Sequence, residues 1–148
     1  MAYHEAPPGW WQTFVTALPA RTAKLAVTRA DGAPHVAPIW VDLDGDGEAA
    51  EIVFTTGQDT VKGRAILRDP RVALCWDDER PPFAFVTVRG VAQISDDPEE
   101  LLRWATRLGG RYMGAERAEE YGRRNAVPSE LLVRVRPTRV IAKVDIAD

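Results

Sequence analysis

The stretch Thr55-Thr-Gly-Gln-Asp-Thr-Val-Lys-Gly-Arg-Ala-Ile-Leu-Arg-Asp-Pro70 contains the end of a strand, a turn and the start of a helix. It continues the apolar run Ile52–Phe54, and Gly57 permits a turn. Asp59 or Thr60 can cap a short helix, which Asp69-Pro70 ends. The stretch therefore predicts a strand–turn–helix unit.

The predicted helix start is suited to binding an anion such as a phosphate. Amides of a first helical turn lack intrahelical partners and carry partial positive charge, to which Lys62 and Arg64 add two cations. Thr55, Thr56 and Gln58 could add neutral hydrogen bonds from the strand end. This combination predicts an anion pocket.

The geometry of a helix limits that prediction. Residues two apart point roughly 200° away from each other, so Lys62 and Arg64 could meet only on a ligand near the helix axis. The alternative interpretation is a solvated basic helix with Arg64, Arg68 and Arg71 spaced along one side.

Length and charge restrict the class of protein. A chain of 148 residues, 45% of them hydrophobic, predicts a single domain over residues 1–148, with residues 1–20 as an N-terminal tail and short helix. A net charge of −3 argues against general affinity for nucleic acid or for a membrane surface. The N-terminus lacks a basic segment followed by an apolar core, and no apolar run is long enough to span a bilayer, so we expect a cytoplasmic protein.

No metal site is expected. The only cysteine, Cys75, excludes an internal disulfide, and its apolar surroundings predict a buried structural thiol rather than a nucleophile. The segment Asp42–Gly47 imitates the start of a calcium-binding loop, but the twelfth position is Val53 where a Glu is required. A polar hairpin turn is the better interpretation of this segment.

Alternation and turn signals predict six strands, mostly antiparallel. They cover residues 24–28, 35–43, 52–54, 71–76, 83–94 and 131–146, the last interrupted at Pro137. Helical spacing predicts a short helix over 9–18, a principal helix from Ser95 to about Tyr112 that Gly109-Gly110 should weaken, and a polar helix over 116–125. This order indicates a compact Greek-key or meander barrel with a few helices.

Three positions need a separate interpretation. Pro38 cannot donate a ladder hydrogen bond, so it marks a sheet edge, a bulge or a strand that borders a ligand. His35 lies on an alternating hairpin strand, which favours a structural role, and His4 lies in a tail that we expect to be disordered.

Several segments together resemble a known superfamily. They are Leu25-Ala-Val-Thr-Arg-Ala-Asp-Gly-Ala-Pro-His-Val-Ala-Pro-Ile-Trp40, then Thr55-Thr-Gly57 with Thr60-Val-Lys-Gly-Arg64, then Arg68-Asp-Pro-Arg-Val-Ala-Leu74, followed by 111–114, 119–125 and 132–137. Their order and spacing, rather than any one motif, resemble the flavin and deazaflavin oxidoreductases of the pyridoxamine 5'-phosphate oxidase-like split-barrel superfamily. More narrowly, they resemble its branch that uses coenzyme F420.

The resemblance implies a mainly β fold, a six-stranded antiparallel split barrel of the FMN-binding type with a few helices. It also implies a homodimer with two cofactors in grooves at the subunit interface. The cofactor phosphate would lie near Lys62 and Arg64, with Thr55, Thr56 and Gln58 beside it.

The ring system would lie along Pro38, Ile39 and Trp40. Trp76 would form a wall, contributed by a neighbouring strand or by the partner subunit. The alternative for both tryptophans is a place in the core or the dimer interface.

An anionic cofactor tail would require a basic groove. The candidates are Arg64, Arg68, Arg71, Arg111, Arg123 and Arg124, although most of these could be surface charges paired with acids. The chain departs from the family pattern at Ala65-Ile66, where an Asn-Leu pair is common.

The expected function is an F420-dependent oxidoreductase that transfers hydride between the deazaflavin and a conjugated small-molecule substrate, with tetrapyrroles and unsaturated ring compounds as candidates. No nucleophile is needed, and the sequence identifies no proton donor. Two alternatives stay open: an FMN-dependent oxidoreductase of the same fold, and a non-catalytic flavin-, deazaflavin- or haem-binding protein. The chain has only two histidines, which disfavours haem.

Overall fold

The computed structural model describes residues 3–148. Eight strands form one antiparallel sheet: β1 (His4–Glu5), β2 (Ala23–Thr28), β3 (Pro34–Ile39), β4 (Asp42–Asp44), β5 (Glu51–Gly57), β6 (Arg71–Asp78), β7 (Ala84–Ser95) and β8 (Glu130–Val144). Four helices accompany them: α1 (Trp10–Thr16), α2 (Val61–Arg68), α3 (Pro98–Met113) and α4 (Ala118–Asn125). Short 3₁₀ turns cover Gly47–Ala49 and Ala115–Arg117.

The sheet closes into a split barrel because its two edge strands are neighbours in the chain. The strand order is β3-β2-β6-β7-β8-β5-β4, and only Trp40 and Val41 separate β3 from β4. Four residues span at most about 14 Å, whereas seven strands laid flat at about 4.8 Å spacing would put the edges about 29 Å apart. The sheet must therefore curl until its edges meet, which confirms the barrel class that the sequence predicts.

The prediction of six strands is two too few. The predicted strand 35–43 breaks at Trp40–Val41, so that its first part pairs with β2 and its second part with β5. His4, predicted in a disordered tail, lies in β1, which pairs with the end of β8 in the register His4↔Val144. A two-residue strand has no periodicity by which its sequence could reveal it.

Pro137 interrupts the regular ladder between β7 and β8, as the sequence predicts. β8 runs continuously past it, and the ladder with β7 absorbs the irregularity as a register shift, with Arg89 opposite Arg139 and Gly90 opposite Pro137. One extra residue on β8, Thr138, donates its hydroxyl hydrogen to the carbonyl of Arg89 at 3.1 Å. A bulge thus accommodates the missing proline N–H.

The main core fills the inside of the barrel. The inner face of β7 is buried, with Val86 and Val88 fully so. A second, smaller cluster joins the outer side of β5 and β8 to α3 and consists of Val53, Leu101, Trp104 and Leu132. This second cluster holds α3 over the outer surface of the sheet, where the candidate site lies.

α4 packs closely on α3 because two glycines leave room. A Cβ at Gly109 would lie 2.6 Å from the Cβ of Tyr121, and one at Gly122 would overlap the hydroxyl of Thr106. α3 ends at Met113, close to the predicted end at about Tyr112, so Gly109-Gly110 do not terminate it. The glycines instead allow the helix pair to approach.

The polar hairpin turn at Asp42–Gly47 is confirmed by the pairing of β4 with β5. Asp42 is buried, accepts the N–H of Leu43 and pairs with Arg107 at 2.8 Å. Cys75 is half-buried rather than buried. Within residues 3–148, no three His, Cys, Asp or Glu side chains are grouped to hold a metal ion, and no helix is long and apolar enough to cross a membrane.

Candidate functional site

An open cleft of about 340 Å³ lies between the end of β5, the start of α2, the β3–β4 break and the α3–α4 pair. Its lining residues come from all of these elements. They are Pro38, Ile39, Trp40, Thr55, Thr56, Gly57, Thr60, Lys62, Ala105, Leu108, Arg124, Asn125 and Glu130. The cleft therefore brings together six of the nine cofactor-binding residues that the sequence predicts: Pro38, Ile39, Trp40, Thr55, Thr56 and Lys62.

The turn between β5 and α2 forms one end of the cleft. Thr60, not Asp59, caps α2, since its hydroxyl oxygen accepts the N–H of Gly63 at 3.1 Å and its hydrogen goes to the carbonyl of Gly57 at 2.7 Å. A Cβ at Gly63 would overlap that same Gly57 carbonyl. Only glycine at position 63 lets the helix start pack this tightly on the strand end.

This arrangement determines which hydroxyls remain free. Thr56 and Thr60 oxygens are 3.2 Å apart, and because Thr60 donates to Gly57, Thr56 must be the donor of this bond. Thr56 is also only 3% exposed. The Thr56 hydroxyl hydrogen is therefore used in a bond within the turn. Thr55 lies on the opposite face of β5 and is half-buried.

Lys62 and Arg64 lie on opposite sides of α2, as the helical geometry predicts. Lys62 is half-buried and lines the cleft. Arg64 is exposed and lines a separate depression with Arg29, Asp31 and Arg68. The structure thus places only one of the two predicted cations in the cleft.

Two further predicted residues lie elsewhere. Trp76 has no exposed surface and belongs to the barrel core, so it cannot contact a ligand in the open cleft. Its position follows the burial alternation of β6, in which Val72, Leu74 and Trp76 all point inward. Gln58 is exposed and lines a neighbouring pocket instead.

The other end of the cleft is formed by Trp40 at the β3–β4 break. Its ring stacks on Tyr112, with centroids 5.1 Å apart and planes 3° from parallel, and it meets Tyr121 at 5.8 Å. The hydroxyl of Tyr112 donates to the Arg21 carbonyl at 2.6 Å and accepts the Val41 N–H at 3.1 Å. These contacts fix a half-buried indole beside the apolar Leu108 of α3.

Glu130, at the start of β8, places a carboxyl group in the cleft that the sequence did not predict. It lies opposite Gly57 in the β5–β8 register and lines the cleft. Burial raises the pKa of its carboxyl above the usual 4.5, and the nearby Thr55 hydroxyl and Lys62 ammonium offset this only in part. The cleft therefore contains both a cation and an acid whose pKa is raised by burial.

Arg124 and Asn125 of α4 also line the cleft. The guanidinium of Arg124 lies 5.2 Å from the ring centre of Tyr121, which itself meets Trp40. Of the six arginines predicted to hold an anionic tail, Arg124 alone is among the residues that line this cleft. The sequence signal for Arg124 was the resemblance of residues 119–125 to the F420-using branch.

The remaining candidate arginines have other partners. Arg111 donates to the carbonyls of Val15, Thr16 and Val41, which ties α1 to the β3–β4 break. Arg71 bonds Asp69 and lowers the pKa of that carboxyl to about 2. Local pairing therefore explains these two charges without a ligand.

The fold is a split barrel, and an open cleft lined by Lys62 and by the Pro38–Trp40 segment lies on the outer side of its sheet. The chain belongs to the pyridoxamine 5'-phosphate oxidase family, whose model matches residues 12–143. No curated protein matches the sequence significantly.

Solved structures agree with this assignment. The conserved hypothetical protein Rv2991 of Mycobacterium tuberculosis is 27% identical with a TM-score of 0.80, covering 98% of this chain and 89% of its own. An F420 reductase is 28% identical with a TM-score of 0.64, covering 81% and 88%. HutZ, a haem storage protein of Vibrio cholerae, shares the fold at 16% identity, with a TM-score of 0.65 and coverage of 93% and 96%.

Proposed function

We propose that this protein is an oxidoreductase that uses coenzyme F420 to exchange hydride with a conjugated small molecule. One observation carries the proposal. Lys62 and the start of α2 lie at one end of a cleft whose other end is the Pro38–Trp40 segment, in a chain 28% identical to an F420 reductase. FMN is the alternative cofactor, since the family is named for pyridoxamine 5'-phosphate oxidase.

The donors in the cleft fit a phosphate. The N–H groups of Val61 and Lys62 have no acceptor among residues 3–148, as expected for a first helical turn. The Lys62 ammonium and the Thr55 hydroxyl line the same space. A phosphoryl group there would receive charge-assisted bonds from Lys62 and partial positive charge from the α2 amides.

The other end of the cleft fits a flat conjugated ring. Ile39, Ala105 and Leu108 supply apolar surface, and the stack of Trp40 on Tyr112 supplies a rigid wall. These side chains would exclude water from one side of the ring and fix its plane. A bound deazaflavin would supply the hydride chemistry, for which no protein nucleophile is required.

A haem-binding role has less support. Among the described residues that line the cleft, none is His, Cys or Tyr, which are the usual haem ligands besides Met. His4 lies in β1 and His35 in β3, both outside the lining. The likeness to HutZ is at 16% identity and concerns the fold.

The proposed assembly is a homodimer with the site at the subunit interface. The outward face of the barrel supports it, since Ala26, Ala73 and Cys75 are half-buried small residues there and Val36 is 64% exposed. Such a surface would lose solvent-exposed apolar area on pairing with a second copy. Light scattering combined with size-exclusion chromatography tests this, and a monomer at working concentration contradicts it.

The function is tested by titrating the purified protein with F420 and, in parallel, with FMN. Quenching of F420 fluorescence with saturation, and weak or no FMN binding, is the expected result. Turnover is then tested by oxidation of reduced F420 with conjugated acceptors. Tight FMN binding would favour the alternative cofactor, and binding of neither would refute the proposal.

A further inference from the structure

A second pocket lies directly behind Glu130 and is chemically unlike the cleft. It has a volume of about 350 Å³ and is lined mainly by apolar side chains. The lining residues are Gln58, Asp96, Pro98, Leu101, Ala126, Val127, Pro128, Glu130 and Leu131. Glu130 is the residue that lines both spaces, so a molecule in the pocket would lie next to whatever occupies the cleft.

The walls of the pocket are held in place by contacts within the protein itself. Leu101 belongs to the cluster that attaches α3 to the sheet, and Ala126 packs against the same cluster. The segment 126–129 is pinned at both ends, because the Ala126 N–H bonds the Gly122 carbonyl at 2.9 Å and the Ser129 carbonyl accepts the Gln58 N–H at 2.9 Å. The walls are therefore preformed, which lowers the cost of ordering them around a ligand.

The ionisable residues that line the pocket are both acids, and the Lys62 ammonium lies near Glu130 on its cleft side. The two acids are Glu130 and Asp96, and no Lys, Arg or His belongs to the pocket's described lining. Asp97 caps α3 by accepting the Glu99 N–H, and Ser95 donates to Glu100. The Asp96 carboxylate is exposed and forms no hydrogen bond or salt bridge within residues 3–148. Two carboxylates at the rim of an apolar pocket favour a cation on an apolar body.

We propose that this pocket binds a small apolar amine, with the hydrocarbon part between Leu101, Val127 and Leu131 and the ammonium group on Glu130. Glu130 is half-buried, which raises the pKa of its carboxyl because burial removes part of the water around the charged form. An ammonium group would replace the missing solvation, and it would also screen Glu130 from an anion held by Lys62. Under the proposed function, on which this one consequence rests, the pocket would hold the amine beside the phosphate end of the cofactor.

The test uses the whole chain without cofactor and three matched probes: 2-phenylethylamine, 2-phenylethanol and 3-phenylpropionate. Methyl NMR spectra follow Leu101, Ala126, Val127 and Leu131. We expect the amine to shift these signals saturably, the alcohol to bind about tenfold more weakly and the carboxylate to bind more weakly still. Because cofactor is absent, failure of this test is separate from failure of the proposed function.

Substitutions in and beside the pocket test where the amine binds. Glu130→Gln should weaken the amine about tenfold and leave the alcohol unchanged, and Asp96→Asn, at an exposed position, should weaken the amine in the same direction. Glu99→Gln, which removes a neighbouring charge outside the pocket, should change neither probe. Ala126→Phe should fill the pocket and abolish binding of both. Any of four results overturns the proposal. They are equal affinity for the three probes, preference for the carboxylate, an amine affinity that Asp96→Asn leaves unchanged, and no saturable shift at millimolar probe.

Discussion

The Glu130 carboxyl and the Lys62 ammonium share one cleft, and the cation lowers the pKa of the acid by less than burial raises it. Two opposite charges at a site that should bind a phosphate appear contradictory, because ionised Glu130 repels the same anion that Lys62 attracts. The contradiction disappears when Glu130 takes up a proton, which its raised pKa makes easier.

Anion binding in the cleft should therefore strengthen as the pH falls. Glu130 is neutral below its raised pKa, so repulsion is absent at low pH and appears as the pH rises through that pKa. Inorganic sulfate is a suitable probe because its own charge is constant between about pH 5 and 8. Glu130→Gln should bind sulfate about tenfold more tightly at pH 8, since a like charge a few ångströms away costs on the order of 1 kcal/mol, and should lose the pH dependence. Calorimetry from pH 5 to 8 measures both, and an equally steep profile in Glu130→Gln would contradict the argument.

Lys62→Ala should weaken F420 binding by about 1.5–3 kcal/mol if the ammonium holds the phosphate through a charge-assisted bond. The chain supplies a matched control, because Arg64 lies two residues along the same helix but lines a different depression. Arg64→Ala should leave the dissociation constant nearly unchanged. Fluorescence titration of F420 compares the two variants, and equal losses would indicate a long-range charge effect rather than a contact.

Local signals predicted the unit around α2 from the sequence. The cap at Thr60, the turn at Gly57 and the end of the helix before Asp69-Pro70 depend on residues within a few positions of one another. The helix geometry also placed Lys62 and Arg64 on different sides. Local alternation and turn signals also predicted the barrel class. They did not predict β1 or the break at Trp40.

The parts of the site that sequence reasoning missed are formed by long-range contacts. Glu130 enters the cleft only because β8 pairs with β5 in the register that sets it opposite Gly57. Trp76 was interpreted as a possible ring contact because an aromatic strand residue looks the same whether it faces a groove or the core. The stack of Trp40 on Tyr112 joins residues 72 positions apart, which no local pattern encodes.

Acid should weaken the attachment of α3 to the sheet through Glu100. Arg134 of β8 donates to Glu100 at 2.9 Å and holds the pKa of its carboxyl below the usual 4.5. A folded-state pKa below the unfolded value contributes stability above about pH 4.5, which is lost as the pH falls through the folded pKa. Glu100→Gln should lower the free energy of unfolding by about 1–3 kcal/mol at pH 7 and by progressively less below pH 4.5.

Urea unfolding across this pH range measures the effect. Glu120→Gln is the control, since Glu120 also pairs with an arginine but is exposed, and it should change stability little. A loss for Glu100→Gln that is constant down to pH 3 would show that packing, rather than charge, explains the result.

Gly122→Ala tests whether the close approach of α4 to α3 builds the cleft. The added methyl group would overlap the Thr106 hydroxyl, and such overpacking costs about 1–3 kcal/mol, more than the about 1 kcal/mol that alanine contributes to a helix interior. Because α4 carries Arg124 and Asn125, its displacement should weaken F420 binding as well as stability. Thr106→Ala in the same chain should restore part of both, since it removes the overlapping oxygen. Arg123→Ala, at an exposed position of α4, should change neither. If Gly122→Ala lowered stability but left F420 affinity intact, the α4 residues would have no part in binding.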